Sequence, residues 1–486
     1  MTIEEVIKQK SQLISQIKEY SPLFSRFFEL DIPLSDYSKS IYEFDKNEEY
    51  IYRQKQLKKN ISNKFQELFT DEYKQLNIKF PEQMACNIVD HHQVLNHPLL
   101  ISSNIIANTN KLLQLEKQPA IIDISSGDVP PNNYFSKNGF MFQNKRIPIF
   151  TNREKEYNSN LIPKRDFDFI VNLKKAKRLN EFNKEEIEFL SDELKTIQDM
   201  DFSQCQNYND QISVIVKHQW PRLFEEKLRK NLPELLYITQ EEITARCLVD
   251  LLEKDNIVTH TLLNESFRKN VLDSFNGIVV TWNEKESKGT HFFWRKYPGQ
   301  SRSLRMYLKG NKLVPQDERF KHLSVELEKD TIIELLAEGE IYPSLFIIFL
   351  ILNFYYGVKP LVGQGSITYL NLIRDNWLKI LKNSEYKSEL VNIESYEIDK
   401  LITGIIIFFS RDNERLNTLW AYDIFNRGGM KEEYLKKLFS MSFRDLISTG
   451  LVGIYDYVKQ KYIPEKKWLK PTITSNDLAK LVFKWL

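Results

Sequence analysis

The chain has 486 residues, long enough for a large buried core and, at about 150 residues per structural unit, for two or three such units. Its 68 Lys and Arg stand against 66 Asp and Glu, a net charge of +2, so no global field draws nucleic acid or an anionic membrane, and neither is an expected partner. Cys86, Cys205 and Cys247 are odd in number and far apart with no CxxC pair, which argues against a disulfide scaffold or closed zinc site and fits a reducing cytoplasm.

The opening MTIEEVIKQKSQL is charged and amphipathic and lacks the apolar stretch and cleavage site of a secretory signal, so export is not expected. Apolar residues recur at helical spacing over 2–20 and 48–68, with Pro22 and Pro33 between, predicting a helical cap over 1–79. The apolar run at 85–89 predicts the end of a buried strand, and 98–107 the start of a helix. Between them, His91, His92 and His97 gather three of the chain's seven histidines beside Asp90, Gln93 and Asn96. Imidazole is the side chain most easily used near neutral pH as acid, base or ligand. A strand-to-helix turn at the carboxyl end of a sheet is also where open α/β folds hold ligands.

Residues 119–125, PAIIDIS, predict a buried parallel strand, completing with the first a core segment over 80–180. It runs into SGDVPPNN, where Gly127 and Pro130-Pro131 bend the chain and Asp128, Asn132 and Asn133 offer polar groups. The Glu-, Lys- and Leu-rich stretch over 181–270 predicts a helical insertion. Strand signals return in GIVVTW, THFFW and SLRMYL, predicting a β-meander between 277 and 313 whose His291, Trp294, Arg295, Arg302 and Arg305 could meet an anion. Residues 341–358 approach membrane-spanning length, but Pro343, Asn353 and the lack of flanking basic clusters point to a buried element of a soluble core. Gly363 and Gly365 then lie between a short apolar strand and a helix, a place where backbone N–H groups receive a phosphate or carboxylate. This second part of the core spans 271–382, and 383–486 reads as mostly helical, with ITGIIIFF as buried packing.

In order, these segments resemble the bacillithiol-biosynthesis cysteine-adding enzyme family. HHQVLNHPLLISSNIIA is similar to that family's GQQ-type turn through Gln93, Leu95, Pro98 and Leu99, and Asp128 is the counterpart of the acids in its next loop. THFFW to SLRMYLKGNKL, and the run ending in GVKPLVGQGSITYLNLI, resemble its meander, helix and glycine turn followed by a tyrosine, here Tyr369. The resemblance covers residues 80–150 and 275–380. This chain departs from the family in carrying DHH in place of GQQ, in having no histidine in the acidic loop, and in showing no coiled-coil pattern after Tyr369.

The resemblance implies an α/β fold with a Rossmann-like parallel sheet core, a helical insertion and a helical C-terminal region. It also implies an enzyme joining an amino acid or similar carboxylate to an amine-bearing small molecule through a C–N bond. In that reading His92 or His97 is the general base on the amine, Asn96, Asn132 and Asn133 hydrogen-bond the acyl oxygen, and Asp128 completes the catalytic set. His91, Gln93, Gly127, Gly363, Gly365, Ser366 and Tyr369 would bind substrate or nucleotide. The motifs fix no cofactor, ATP or ADP being the nucleotide considered, and a homodimer is the assembly considered. Two alternatives stand beside it. Asp90-His91-His92 also resembles DHH-type metal-dependent phosphoesterases, with those three residues as ligands of a divalent metal. The third reading is a binding or scaffold protein that keeps the fold without the chemistry.

Overall fold

The computed structural model describes residues 2–43, 46–151, 153–154, 156–398, 401–413 and 415–486. Helix α1 (Ile3–Tyr20) opens on a capping box between Thr2 and Glu5 and buries Val6, Leu13 and Ile17. It lies along the C-terminal helix Leu451–Tyr462, where Tyr455 donates its hydroxyl hydrogen to Gln16 (2.7 Å). Helix α2 (Glu48–Phe69) turns Leu57, Ile61, Phe65 and Leu68 inward at helical spacing.

The centre of the molecule is a parallel sheet. Strand β1 (Ala85–His91) leads through α3 (Pro98–Leu112) to β2 (Ile121–Ser126), and both strands are buried over most of their length, polar residues such as Asn87, Asp90 and Asp123 included. A long connection containing α4 (Tyr208–Gln219) returns the chain to β3 (Leu235–Thr239), followed directly by α5 (Gln240–Leu252). Strand β4 (Lys359–Leu361) precedes α6 (Gln364–Lys382). The spatial order is β3-β2-β1-β4, every pairing parallel. This is a mixed α/β fold with a Rossmann-like core in which strand order reverses between β1 and β4.

Two expectations need correction. The segment read as a helical insertion over 181–270 contributes β3, a fully buried strand of the sheet itself. Its Leu- and Glu-rich surroundings hid a five-residue apolar run whose Thr239 caps the next helix by accepting from the Glu242 N–H (3.1 Å). The β-meander is instead two three-stranded antiparallel sheets, one of Phe293–Lys296, Ser303–Leu304 and Ile341–Pro343, the other of Met306–Lys309, Lys312–Pro315 and Val325–Glu326. GIVVTW is largely a turn, since Gly277 and Val280 both take positive φ (88° and 70°), which a strand does not accommodate.

The apolar run 341–358 folds as the strand Ile341–Pro343, the short helix Leu345–Ile348 and the π-turn Phe349–Tyr355, almost wholly buried. Among the described residues no helix is long and apolar enough to cross a membrane. The C-terminal region is mostly helical, with an antiparallel pair, Phe409–Asp412 and Arg415–Thr418, that the sequence pattern did not announce.

Gly357, at φ +65°, turns the chain into β4, and a Cβ there would come within 2.3 Å of the Tyr50 ring of α2. Gly357→Ala is therefore expected to lower unfolding free energy by about 2 kcal/mol or more, from left-handed strain and the clash together. Urea denaturation checks this, and a loss below about 0.5 kcal/mol, the range of neutral surface changes, would contradict it.

Candidate functional site

The carboxyl end of β2 holds a buried cluster of polar groups with raised carboxyls. Glu241, the second residue of α5 and 1% exposed, accepts the backbone N–H of Gly127 (2.8 Å) and of Asp128 (2.9 Å). Its position in the first turn of a helix adds the favourable end of the helix dipole. A Cβ on Gly127 would lie 2.8 Å from both Glu241 Oε2 and Thr239 Cγ2, so glycine is what lets the loop approach this carboxylate.

Asp128 is turned the other way. Its carboxylate accepts from the Asn158 amide, and the Tyr342 hydroxyl stands at 3.4 Å. Asn158 also donates to Tyr342 Oη (2.7 Å) and to Ser303 Oγ (3.3 Å), and those two hydroxyls are 2.5 Å apart. Burial, reinforced by the negative Glu241, pushes the Asp128 carboxyl up to about 8, while burial raises Glu241 to about 6 against the pull of its two backbone donors. At neutral pH Asp128 is thus a carboxylic acid beside an ionised Glu241.

Asp128 faces a cavity of about 380 Å³ walled by Trp282, Trp294, Thr290 and Ser344. The Ser344 hydroxyl is buried without a hydrogen-bond partner. Val280, on the same wall, holds the left-handed backbone noted above, an uncommon state for a β-branched residue and one that concentrates at functional sites.

None of the three histidines lines this cavity; His91 and His97 both pack on Phe135, and His92 lies against Tyr237. His92 is 1% exposed, with Nε2–H donating to the Asn209 carbonyl (2.8 Å) and Nδ1 accepting from Ser125 (3.0 Å). His97 caps α3, its Nδ1 accepting from the Leu99 N–H (3.1 Å), and is boxed by Tyr134, Phe135 and Trp420. His91 stands edge-on to Phe135 with Nδ1 unpartnered. Burial holds His91 and His92 down to about 4 and His97 to about 3, so all three are neutral at pH 7.

The base role read for His92 and His97 is accordingly corrected: both ring nitrogens of one are committed to the fold, and the lone pair of the other caps a helix. Asn96 is a clamp, donating to the Phe135 carbonyl (3.0 Å) and accepting from the Met141 N–H (2.9 Å). Asn133 organises its own turn through the N–H groups of Phe135 and Ser136, and Asn132 is exposed. Neither amide is placed to hold an acyl oxygen beside Asp128. Gln93 is buried between Ser159 (2.8 Å) and Tyr208 (2.6 Å).

Asp90 accepts from the Tyr237 hydroxyl and from Asn104 (2.7 Å), while the Tyr237 ring lies 5.4 Å from that of His92. Among the described residues no group of three or more His, Cys, Asp or Glu side chains is arranged to hold a metal ion. At the reversal between β1 and β4, Gly363 precedes α6 without a side-chain cap, and the 402–405 segment presses against it, a Cβ on Gly404 falling 2.9 Å from Gly363 Cα. Gly363 thus serves close packing, whereas Gly365 faces open space. Ser366 bonds Tyr369, whose ring stacks on Phe349. The arginines of the small sheets are paired internally, Arg295 with Glu340 (3.2 Å) and Arg302 with Glu156 (3.3 Å), while Arg305 donates to the Gly289 carbonyl (2.6 Å).

Glu241, Tyr342, Asn158 and Ser303 escaped the sequence reading. Glu241 had one legible signal, the pattern of apolar strand, capping threonine and acidic first turn in LLYITQEE. Compared with known proteins, the chain matches no family model, no curated protein and no solved structure.

Two stability measurements test these assignments. Gly127→Ala should cost about 1–3 kcal/mol by overpacking against Glu241 and Thr239, and an unchanged urea midpoint would show that the loop is free to move away. His92→Leu should cost about 1–3 kcal/mol at pH 7.5 by removing the buried hydrogen bonds to the Asn209 carbonyl and the Ser125 hydroxyl. The folded histidine titrates near 4 and the unfolded one near 6.5, so wild-type stability falls as pH drops through that window. The gap between wild type and His92→Leu should therefore narrow toward pH 5, and a gap that widens would refute a neutral buried histidine.

Proposed function

We propose that this chain is a cytoplasmic enzyme forming a C–N bond between an amine-bearing small molecule and an amino-acid-like carboxylate, a divergent relative of the bacillithiol-biosynthesis cysteine-adding enzymes. The observation carrying this reading is the Asp128 carboxyl, raised to about 8 and facing a cavity walled by two tryptophans. An uncharged acid in a partly apolar pocket is suited to general acid–base work near neutrality.

The step assigned to it balances without further reactants. With the substrate carboxyl taken up as its uncharged acid, the neutral amine nitrogen attacks the carboxyl carbon, Asp128 gives its proton to the departing hydroxyl to release water, and the resulting Asp128 carboxylate takes the surplus proton from nitrogen. Tyr342 and Asn158 hold the carboxyl in place, and burial together with Glu241 keeps its proton affinity high. The chemistry read for the histidines thus moves to carboxyl groups on the neighbouring strand end. The two tryptophans would pack against the hydrocarbon of the amine-bearing partner.

The test is incubation of purified protein with amino sugars and amino acids, with and without ATP, and mass detection of a product lighter than the summed substrates by one water. Asp128→Asn is expected to lower turnover by about 10²–10⁴-fold with an unchanged melting temperature. Turnover should also fall as pH rises through about 8, because the acid is then lost. A variant with full activity, or a rate that climbs through that range, removes Asp128 from the chemistry.

A further inference from the structure

A second cavity, of about 300 Å³, opens at the other end of the sheet, between α3 and the amino-terminal halves of β1 and β2. It is lined by the segment that precedes β2, whereas the Asp128 centre follows that strand, so the two are separate sites. Most of its wall is hydrocarbon, from Phe80, Pro81, Met84 and Ala107. One half-buried cation faces it. Lys111, in the last turn of α3, donates to Asn108 Oδ1 (3.3 Å) and lies 4.9 Å from the centre of the Tyr42 ring. Among the described residues no carboxylate lies within ion-pair distance of it.

The Tyr42 hydroxyl donates to that same Asn108 oxygen (3.3 Å). Two donors, one charged, therefore converge on a single neutral acceptor. The carbonyl end of α3 offers the ammonium only a fraction of a counter-charge, and a partly desolvated cation whose partners are all neutral gains from an anion.

The other titratable groups facing the cavity do not supply the missing charge. Asp123 hydrogen-bonds Asp90, and burial and that neighbour raise its carboxyl, which disfavours its charged form. The Tyr42 hydroxyl is raised by burial, and Lys79 at the mouth is exposed and positive.

We propose that this cavity binds a small aliphatic monocarboxylate, its two oxygens taking the Lys111 and Tyr42 donors and its hydrocarbon body covering the apolar wall. One ammonium matches one negative charge. The volume lies at the small end of the range for ligand pockets.

Calorimetric titration of the full chain with 4-methylpentanoate, its uncharged amide and inorganic phosphate tests the proposal. The carboxylate should bind at least tenfold more tightly than the amide, and phosphate should not displace it. Burial lowers the Lys111 ammonium to about 8, so affinity should fall as pH is raised from 7 to 9 and the free site loses its charge. Lys111→Met should abolish the preference for carboxylate over amide. Equal binding of acid and amide, absence of acid binding at millimolar concentration, or displacement by phosphate each overturns the site. The acid–amide comparison and the pH series are made on wild-type protein, so they decide the matter even if the variant fails to fold.

Discussion

The buried Glu241 carboxylate is the constraint on which the site and much of the loop structure depend. It satisfies two backbone N–H groups that leave the sheet at the end of β2 and have no strand partner there. Unpaired, those donors would cost more than an ordinary hydrogen bond contributes. The same contact ties the loop to the first turn of α5, and so joins β2 to β3 beyond the point where ladder hydrogen bonds stop. An anion at that point is tolerated because the helix start and both donors face it. Its field then adds to burial, the larger cause, in raising the Asp128 carboxyl.

Much of the fold was legible because buried parallel strands leave short apolar runs, and β1 and β2 do so. The glycine turn before α6 and the buried nature of 341–358 were readable for similar reasons: a positional glycine and an interrupted apolar stretch have few structural solutions. Strand β3 was not, because five apolar residues between a proline-containing turn and a glutamate-rich helix carry no periodicity that separates strand from helix. The meander failed through backbone conformation rather than hydropathy, since positive φ at Val280 is set by tertiary packing and has no signature in a valine.

The candidate site was half legible. Asp128 and Gly127 were identified because a polar turn after a buried strand is where α/β folds place chemistry. Glu241 and Tyr342 come from segments more than one hundred residues away and meet Asp128 only through the sheet order and the small antiparallel sheet. The histidine cluster misled for a physical reason. Local density of imidazoles says nothing of direction, and in a tight strand-to-helix connection adjacent side chains diverge, His92 toward α4 and His97 toward the aromatic loop. The buried Asp90 is likewise spent on Tyr237 and Asn104, making a polar core that includes Asp123.

The central claim is that Asp128 carries a proton at neutral pH. Its most direct test is a carbon-13 titration of aspartate side-chain carboxyls in the intact protein, the Asp128 resonance being assigned by its loss in Asp128→Asn. A midpoint near 8, with the resonance still that of the protonated acid at pH 7, is the result the structure predicts. A midpoint in the ordinary aspartate range would show that neither burial nor Glu241 holds the proton, and would contradict the account.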